Sequence, residues 1–252
     1  MTKDFTRQLA NILSVALALT VNILASVLPL NGQNTGEISD RFKVYFVPAG
    51  YVFAIWGIIY LGWIAFAIYQ ARPAQRENPR LRNLGYWFAW SGVFNAAWLF
   101  CWHYNQFGLS VLVMLGLLIS LIVSYLRLNV GRTPVSTTEK WSVDIPFSIY
   151  LGWISVATIA NISDYLYFIN WDGFGIAPQT WAVIMIVVAS LLGLIMTFAR
   201  RDSAYAFVLA WSFAGIAIKQ IGEPSVAIPA WVAAAFAVGF GIFSIIQRRR
   251  DF

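Results

Sequence analysis

Residues 46–63 read FVPAGYVFAIWGIIYLGW, and this stretch decides what kind of protein the chain is. It carries no charged residue and approaches the ~20 apolar residues that a helix needs to cross a ~30 Å hydrocarbon core. Phe53, Trp56, Tyr60 and Trp63 recur at i, i+3, i+7 and i+10, a spacing that lays their rings along one helical face. Trp56 lies eight residues past Pro48, about 12 Å along a helix rising 1.5 Å per residue. That is too deep for the headgroup belt where Trp and Tyr ordinarily sit.

The rest of the chain has the same character. Of 252 residues, 60% are hydrophobic, 17% aromatic and 11% charged, and the mean hydropathy is +0.68. A soluble domain carries about 25% charged residues, so too few remain here to cover a water-facing surface. An ordinary soluble domain and a disordered chain are both excluded. A lone cysteine, Cys101, excludes an intramolecular disulfide framework and a thiolate metal cluster. The expected fold is an all-α integral membrane protein.

Hydropathy predicts eight spans, Leu9–Leu30, Val47–Tyr69, Leu84–Tyr104, Phe107–Leu126, Ile145–Tyr167, Trp181–Ala199, Ala204–Ile218 and Val226–Ile246. The first is too long for a signal-peptide core and no Ala-x-Ala site follows it, so it is expected to stay in the mature protein. The seventh is short and ends at Lys219, which leaves seven spans as the competing count. Asn105 and Gln106 alone separate the third span from the fourth, which forces an antiparallel hairpin.

Charge sets the orientation. With eight spans, Lys3, Arg7, Arg72, Arg76, Arg80, Arg82, Arg127, Arg132, Lys140, Arg200, Arg201 and Arg248 to Arg250 fall on one side, against Arg41, Lys43 and Lys219 on the other. Cytoplasmic loops collect Lys and Arg, so both termini are expected in the cytoplasm. The net charge of +6 is then a topology signal. Its expected partners are anionic lipid headgroups, and nucleic acid is not invoked.

Residues 31–46, NGQNTGEISDRFKVYF, form a polar outer loop. The hexapeptide IYLGWI occurs twice, at 59–64 and 149–154, in spans of opposite direction. Inverted repeats build many transporters, whereas two helices can also solve one packing problem with the same residues. Trp87, Trp102, Trp141, Trp171, Trp181 and Trp231 lie near span ends, as an aromatic belt requires. Ser91, Asn95, Trp98 and Trp102 share a face of the third span, and Phe147, Tyr150, Trp153 and Asn161 roughly share one of the fifth. An amide in hydrocarbon must find a partner, so Asn95 and Asn161 point into the bundle, either as helix–helix glue or as polar groups of an aromatic pocket.

These residues carry a resemblance. FVPAGYVFAIWGIIYLGW resembles the second helix of the TspO/MBR family of tryptophan-rich sensory proteins, or translocator proteins; Asn95-Ala-Ala-Trp98 with Phe100 is similar to its third helix, and IPFSIYLGWISVATIANISDYLYFINW to its fifth. The family fold is five transmembrane helices around a pocket capped by the first loop, and its members bind porphyrins, other tetrapyrroles and sterols. The resemblance implies that Phe53, Trp56, Tyr60, Asn95, Trp98, Tyr150, Trp153 and Asn161 line such a pocket, with a porphyrin or haem as the candidate ligand. The chain departs from the family in having Pro48-Ala49 where paired prolines are usual, Pro146 a turn ahead of Ile149, and no Trp or Lys-Pro in the first loop. Residues 1–175 are expected to form the five-helix bundle and 176–252 three additional helices.

Catalytic chemistry is not expected. His103 is the single histidine, and no Ser-His-Asp set, phosphate loop or metal-ligating cluster accompanies it. Asp164 and Lys219 are the charges nearest the hydrocarbon boundary, and charges at such depth usually pair. Lys219 as a counter-charge for porphyrin acids, with His103 as an axial haem ligand, is the other reading. The expected function is a receptor, sensor or carrier for a flat hydrophobic molecule. The alternatives are a small-solute permease or an accessory subunit of a larger membrane complex. A homodimer is equally open, and the setting expected is a bacterial plasma membrane.

Overall fold

The computed structural model describes residues 3–28 and 30–250, with side chains through residue 247. Among these every regular element is a helix. The order is α1 (Lys3–Val27), α2 (Thr35–Asp40), α3 (Ile55–Ala71, entered through a 3-10 turn at Gly50–Ala54), α4 (Pro79–Leu84), α5 (Trp87–His103) and α6 (Phe107–Arg127). Then come α7 (Thr137–Glu139), which runs through a π turn into α8 (Ile145–Phe168), α9 (Pro178–Arg200), α10 (Ser203–Lys219) and α11 (Pro224–Arg250). The side chains of Arg248, Arg249 and Arg250, counted above for orientation, lie outside the described residues.

Among the described residues, six stretches are long and apolar enough to cross a membrane: Lys3–Val27, Gly50–Ala71, Phe107–Arg127, Thr137–Phe168, Pro178–Arg200 and Pro224–Gln247. The expected count was eight. The third and seventh expected spans are α5 and α10, at 17 residues each, which reach about 25 Å against a ~30 Å core. The third starts at Trp87 because Gly85, at φ 63°, breaks the chain after α4. Asn105, Asn129 and Asn170, which follow α5, α6 and α8, all take positive φ, the left-handed stop that Asn tolerates better than most residues.

Helix contacts close a ring: α1 packs on α3 and α5, α5 on α6, α6 on α8, and α8 back on α3. Lipid supplies no hydrophobic drive between helices, so close approach at small residues carries much of the packing. At Gly92 an added Cβ would sit 2.0 Å from Ser14 Oγ, and at Gly62 it would sit 3.0 Å from Pro146 Cβ. The two IYLGWI copies meet across the α3–α8 interface, with the Trp63 and Tyr150 rings 5.0 Å apart at 70°.

α10 packs on α8 and on the 3-10 turn, while α9 and α11 pack on α10. Trp211 Nε1 donates to Val52 O at 3.0 Å, and Ala49 N to Gly215 O at 3.1 Å. At the Arg-rich end, Arg80 pairs with Glu139 at 2.6 Å and Asp144 at 2.8 Å. Burial works against the Arg80 charge, but hydrogen bonds and attraction from the two carboxylates outweigh it and raise its pKa. Asp202, in the α9–α10 turn, accepts from Tyr125 OH at 2.7 Å and caps α10 through Tyr205 N at 3.0 Å. Burial pushes its pKa up, against hydrogen bonds from Ser148, Tyr205 N and Tyr125.

Candidate ligand-binding site

Period-3.6 spacing on α3 brings Trp56 to the centre of an aromatic cluster. Its ring stacks on Tyr60 at 5.8 Å and 28°, and meets Tyr150 and Trp153 of α8 edge-on at 6.2 and 6.3 Å. Phe53, in the 3-10 turn, meets Trp153 at 5.6 Å and 82°. From α5, Trp98 stacks on Trp102 at 5.6 Å and 19°. Trp98 Nε1 donates to Asn161 Oδ1 at 3.0 Å, and Asn161 Nδ2 donates to Ser110 Oγ at 3.0 Å.

The polar loop that follows α1 folds over this cluster as a lid. Asn34 and Glu37 form a reciprocal capping box that starts α2, an arrangement that satisfies two free backbone donors at once. Thr35 is tied to the end of α5: its Oγ1 lies 3.0 Å from His103 Nε2, and its carbonyl accepts from Trp102 Nε1 at 3.2 Å. Arg41 Nη2 donates to Asn105 Oδ1 at 2.6 Å.

Two adjoining chambers lie beneath the lid. The larger, about 440 Å³, faces α1, α3 and α5 and is lined by residues including Asn22, Gly36, Tyr60 and Leu99. The smaller, about 40 Å³, faces α8 and is lined by residues including Ser39, Trp102, Trp153, Asn161 and Asp164. Thr35, Phe53, Trp56 and Trp98 line both. Among the described residues, no Lys, Arg or His lines either chamber.

Of the residues expected at a pocket, Phe53, Trp56, Tyr60, Trp98, Trp153 and Asn161 line these chambers, while Asn95 and Tyr150 line neither. Those two are buried in the helix interfaces. Asn95 Oδ1 accepts from Asn22 Nδ2 at 2.7 Å, and Asn22 Oδ1 accepts from Tyr60 OH at 2.9 Å. The Tyr150 hydroxyl lies beside the Asn95 amide.

Other expectations are corrected. Trp102 is buried against Trp98 and not in a headgroup belt. Lys219 pairs with Asp40 at 3.0 Å, not with Asp164. Asp164 is 2% exposed, and its Oδ1 has no hydrogen-bond partner; Trp153 Nε1 has none either. His103 is fully buried, with Nδ1 3.2 Å from Leu30 O and Nε2 on Thr35. Both ring nitrogens are engaged, so His103 does not fit the role of an axial ligand to haem iron. No group of His, Cys, Asp and Glu among the described residues could hold a metal ion.

Asn22, Thr35 and Ser39 were missed in the sequence. Asn22 was legible, because it is an amide at depth in the first span, as Asn95 is in the third. Thr35 and Ser39 carried no signal, since only the fold of the loop aims them inward.

A family model described as TSPO-like protein matches residues 8–243. No curated protein and no solved structure gives a significant match.

Proposed function

Because the chain belongs to the TSPO-like protein family and is an integral membrane protein, we propose that it is a receptor or carrier that binds a flat hydrophobic ligand, a tetrapyrrole being the first candidate. One observation carries this reading: rings from α3, α5 and α8 converge on a lidded cavity inside the apolar bundle. Pockets for small molecules measure about 300–1,000 Å³ and are mainly apolar with a few placed polar groups. The larger chamber, about 440 Å³, falls in that range. The reading is of binding and not of catalysis.

The same proposal places eight helices across the membrane, with α5 and α10 as its short crossings and both termini in the cytoplasm. The lopsided distribution of Lys and Arg supports it. Residues 1–175 would then supply the ligand-binding bundle, and 176–252 three helices flanking it.

Tryptophan quenching by protoporphyrin, measured in lipid nanodiscs, tests the site. Trp56→Ala and Trp153→Ala should each weaken binding roughly tenfold, about 1.4 kcal/mol, in line with about 0.5–1.5 kcal/mol per ring pair beyond burial. Trp231→Ala, on α11 and 48% exposed, should bind as the parent does. Equal affinity in all four proteins, or no saturable quenching in the parent, would overturn the proposal.

A further inference from the structure

Resting on that cavity, we propose that its ligand carries a protonated amine and that Asp164 receives it. Asp164 is 2% exposed and its Oδ1 accepts no hydrogen bond, although it lines the smaller chamber. A buried carboxylate without a partner is costly, and ionisable groups at membrane depth ordinarily face a functional interior and pair there. Among the described residues no side chain donates to that oxygen, although the charge of Lys219 attracts Asp164 from a distance. No cation among the described residues lines either chamber, and Lys219 is held by Asp40 at 3.0 Å.

The surroundings suit an ammonium group. The stacked Trp98 and Trp102 indoles form part of the wall, and indole faces attract cations. The chamber holds about 40 Å³, enough for one small polar group, given that a water occupies ≈30 Å³. An anionic end group finds little here. Asn161 is committed to Trp98 and Ser110. Trp153 Nε1, a free donor, belongs to a residue of the same chamber wall that lies about 16 Å of helix rise along α8 from Asp164. A flat body would lie in the larger chamber with its amine reaching Asp164, and any ligand carboxylates would have to point away from it.

The test uses two flat tricycles of nearly one shape, 9-aminoacridine, a cation at neutral pH whose ring-nitrogen proton places positive charge on the amino group as well, and acridine, uncharged there. Each is titrated into nanodiscs of zwitterionic phosphatidylcholine, with empty discs subtracted. The parent should bind 9-aminoacridine at least about tenfold more tightly than acridine. Asp164→Asn should bind the two nearly alike, with its acridine affinity unchanged, which also reports an intact cavity. Should Asp164→Asn lose acridine too, Asp164→Glu, which keeps the charge, must show the preference or the proposal fails. An unselective parent, or a preference that survives in Asp164→Asn, overturns it. Protoporphyrin titrated in the same discs separates the two readings. If it or acridine saturates the parent without an amine preference, only the role of Asp164 falls. If neither tricycle nor protoporphyrin saturates, the cavity reading falls as well.

Discussion

At the scale of single residues, polar atoms are spent on holding aromatic faces in place. Asn22 accepts from Tyr60 OH and donates to Asn95 Oδ1, joining α1, α3 and α5. Asn22→Ala leaves both partners without it, and should cost about 1–3 kcal/mol of stability; Tyr60→Phe, which removes one bond, should cost about 1 kcal/mol. Thermal unfolding in detergent reads the difference, and an unchanged midpoint in Asn22→Ala would remove the chain from the fold's support. Asp202 offers a second handle. Burial raises its pKa from the ordinary value, so the folded state binds its proton more tightly than the unfolded chain does. Its contribution is present at low pH and declines as pH rises from the unfolded pKa through the raised folded one. Asp202→Asn keeps an acceptor for Tyr205 N, and its unfolding midpoint should fall less steeply with pH over that window than the parent's.

At the scale of helices, the apolar stretches were legible because hydropathy is a sum over some twenty residues and tolerates local error. Their ends were not, since they depend on single backbone angles such as Gly85 at φ 63° and Asn105 at φ 58°. Which faces meet was legible only in part. The aromatic stripes of α3, α5 and α8 declared themselves through ring spacing, whereas the Ser14–Gly92 contact depends on how α1 is rotated. Gly92→Ala must push α1 from α5, because the new Cβ falls 2.0 Å from Ser14 Oγ and 2.9 Å from its carbonyl oxygen; overpacking of this kind costs typically ~1–3 kcal/mol. Gly57→Ala, in α3 with nothing within 4 Å, should be neutral or gain about 0.4–1 kcal/mol. A Gly92→Ala protein as stable as Gly57→Ala would mean that the two helices do not approach as described.

At the scale of the whole molecule, the bundle was readable from the order of its motifs, and with it most of the aromatic wall of the cavity; the inward aim of Thr35 and Ser39 was not, because lid residues carry no periodic signal. The crossing count turns on α5 and α10, whose 17 residues each leave them short, and α10 is the one open to labelling. On a Cys101→Ala background, Ala177→Cys and Gly222→Cys should both label from outside; Gly222→Cys labelled only from the cytoplasm would mean that α10 does not cross. Binding beneath the lid is tested most directly by hydrogen–deuterium exchange of the nanodisc-embedded protein with and without protoporphyrin. Bound ligand should slow exchange in residues 34–40 of the lid and 50–56 at the mouth of α3, and leave the outward face of α11 unaltered. Unchanged exchange in both segments at saturating protoporphyrin would contradict a ligand site under the lid.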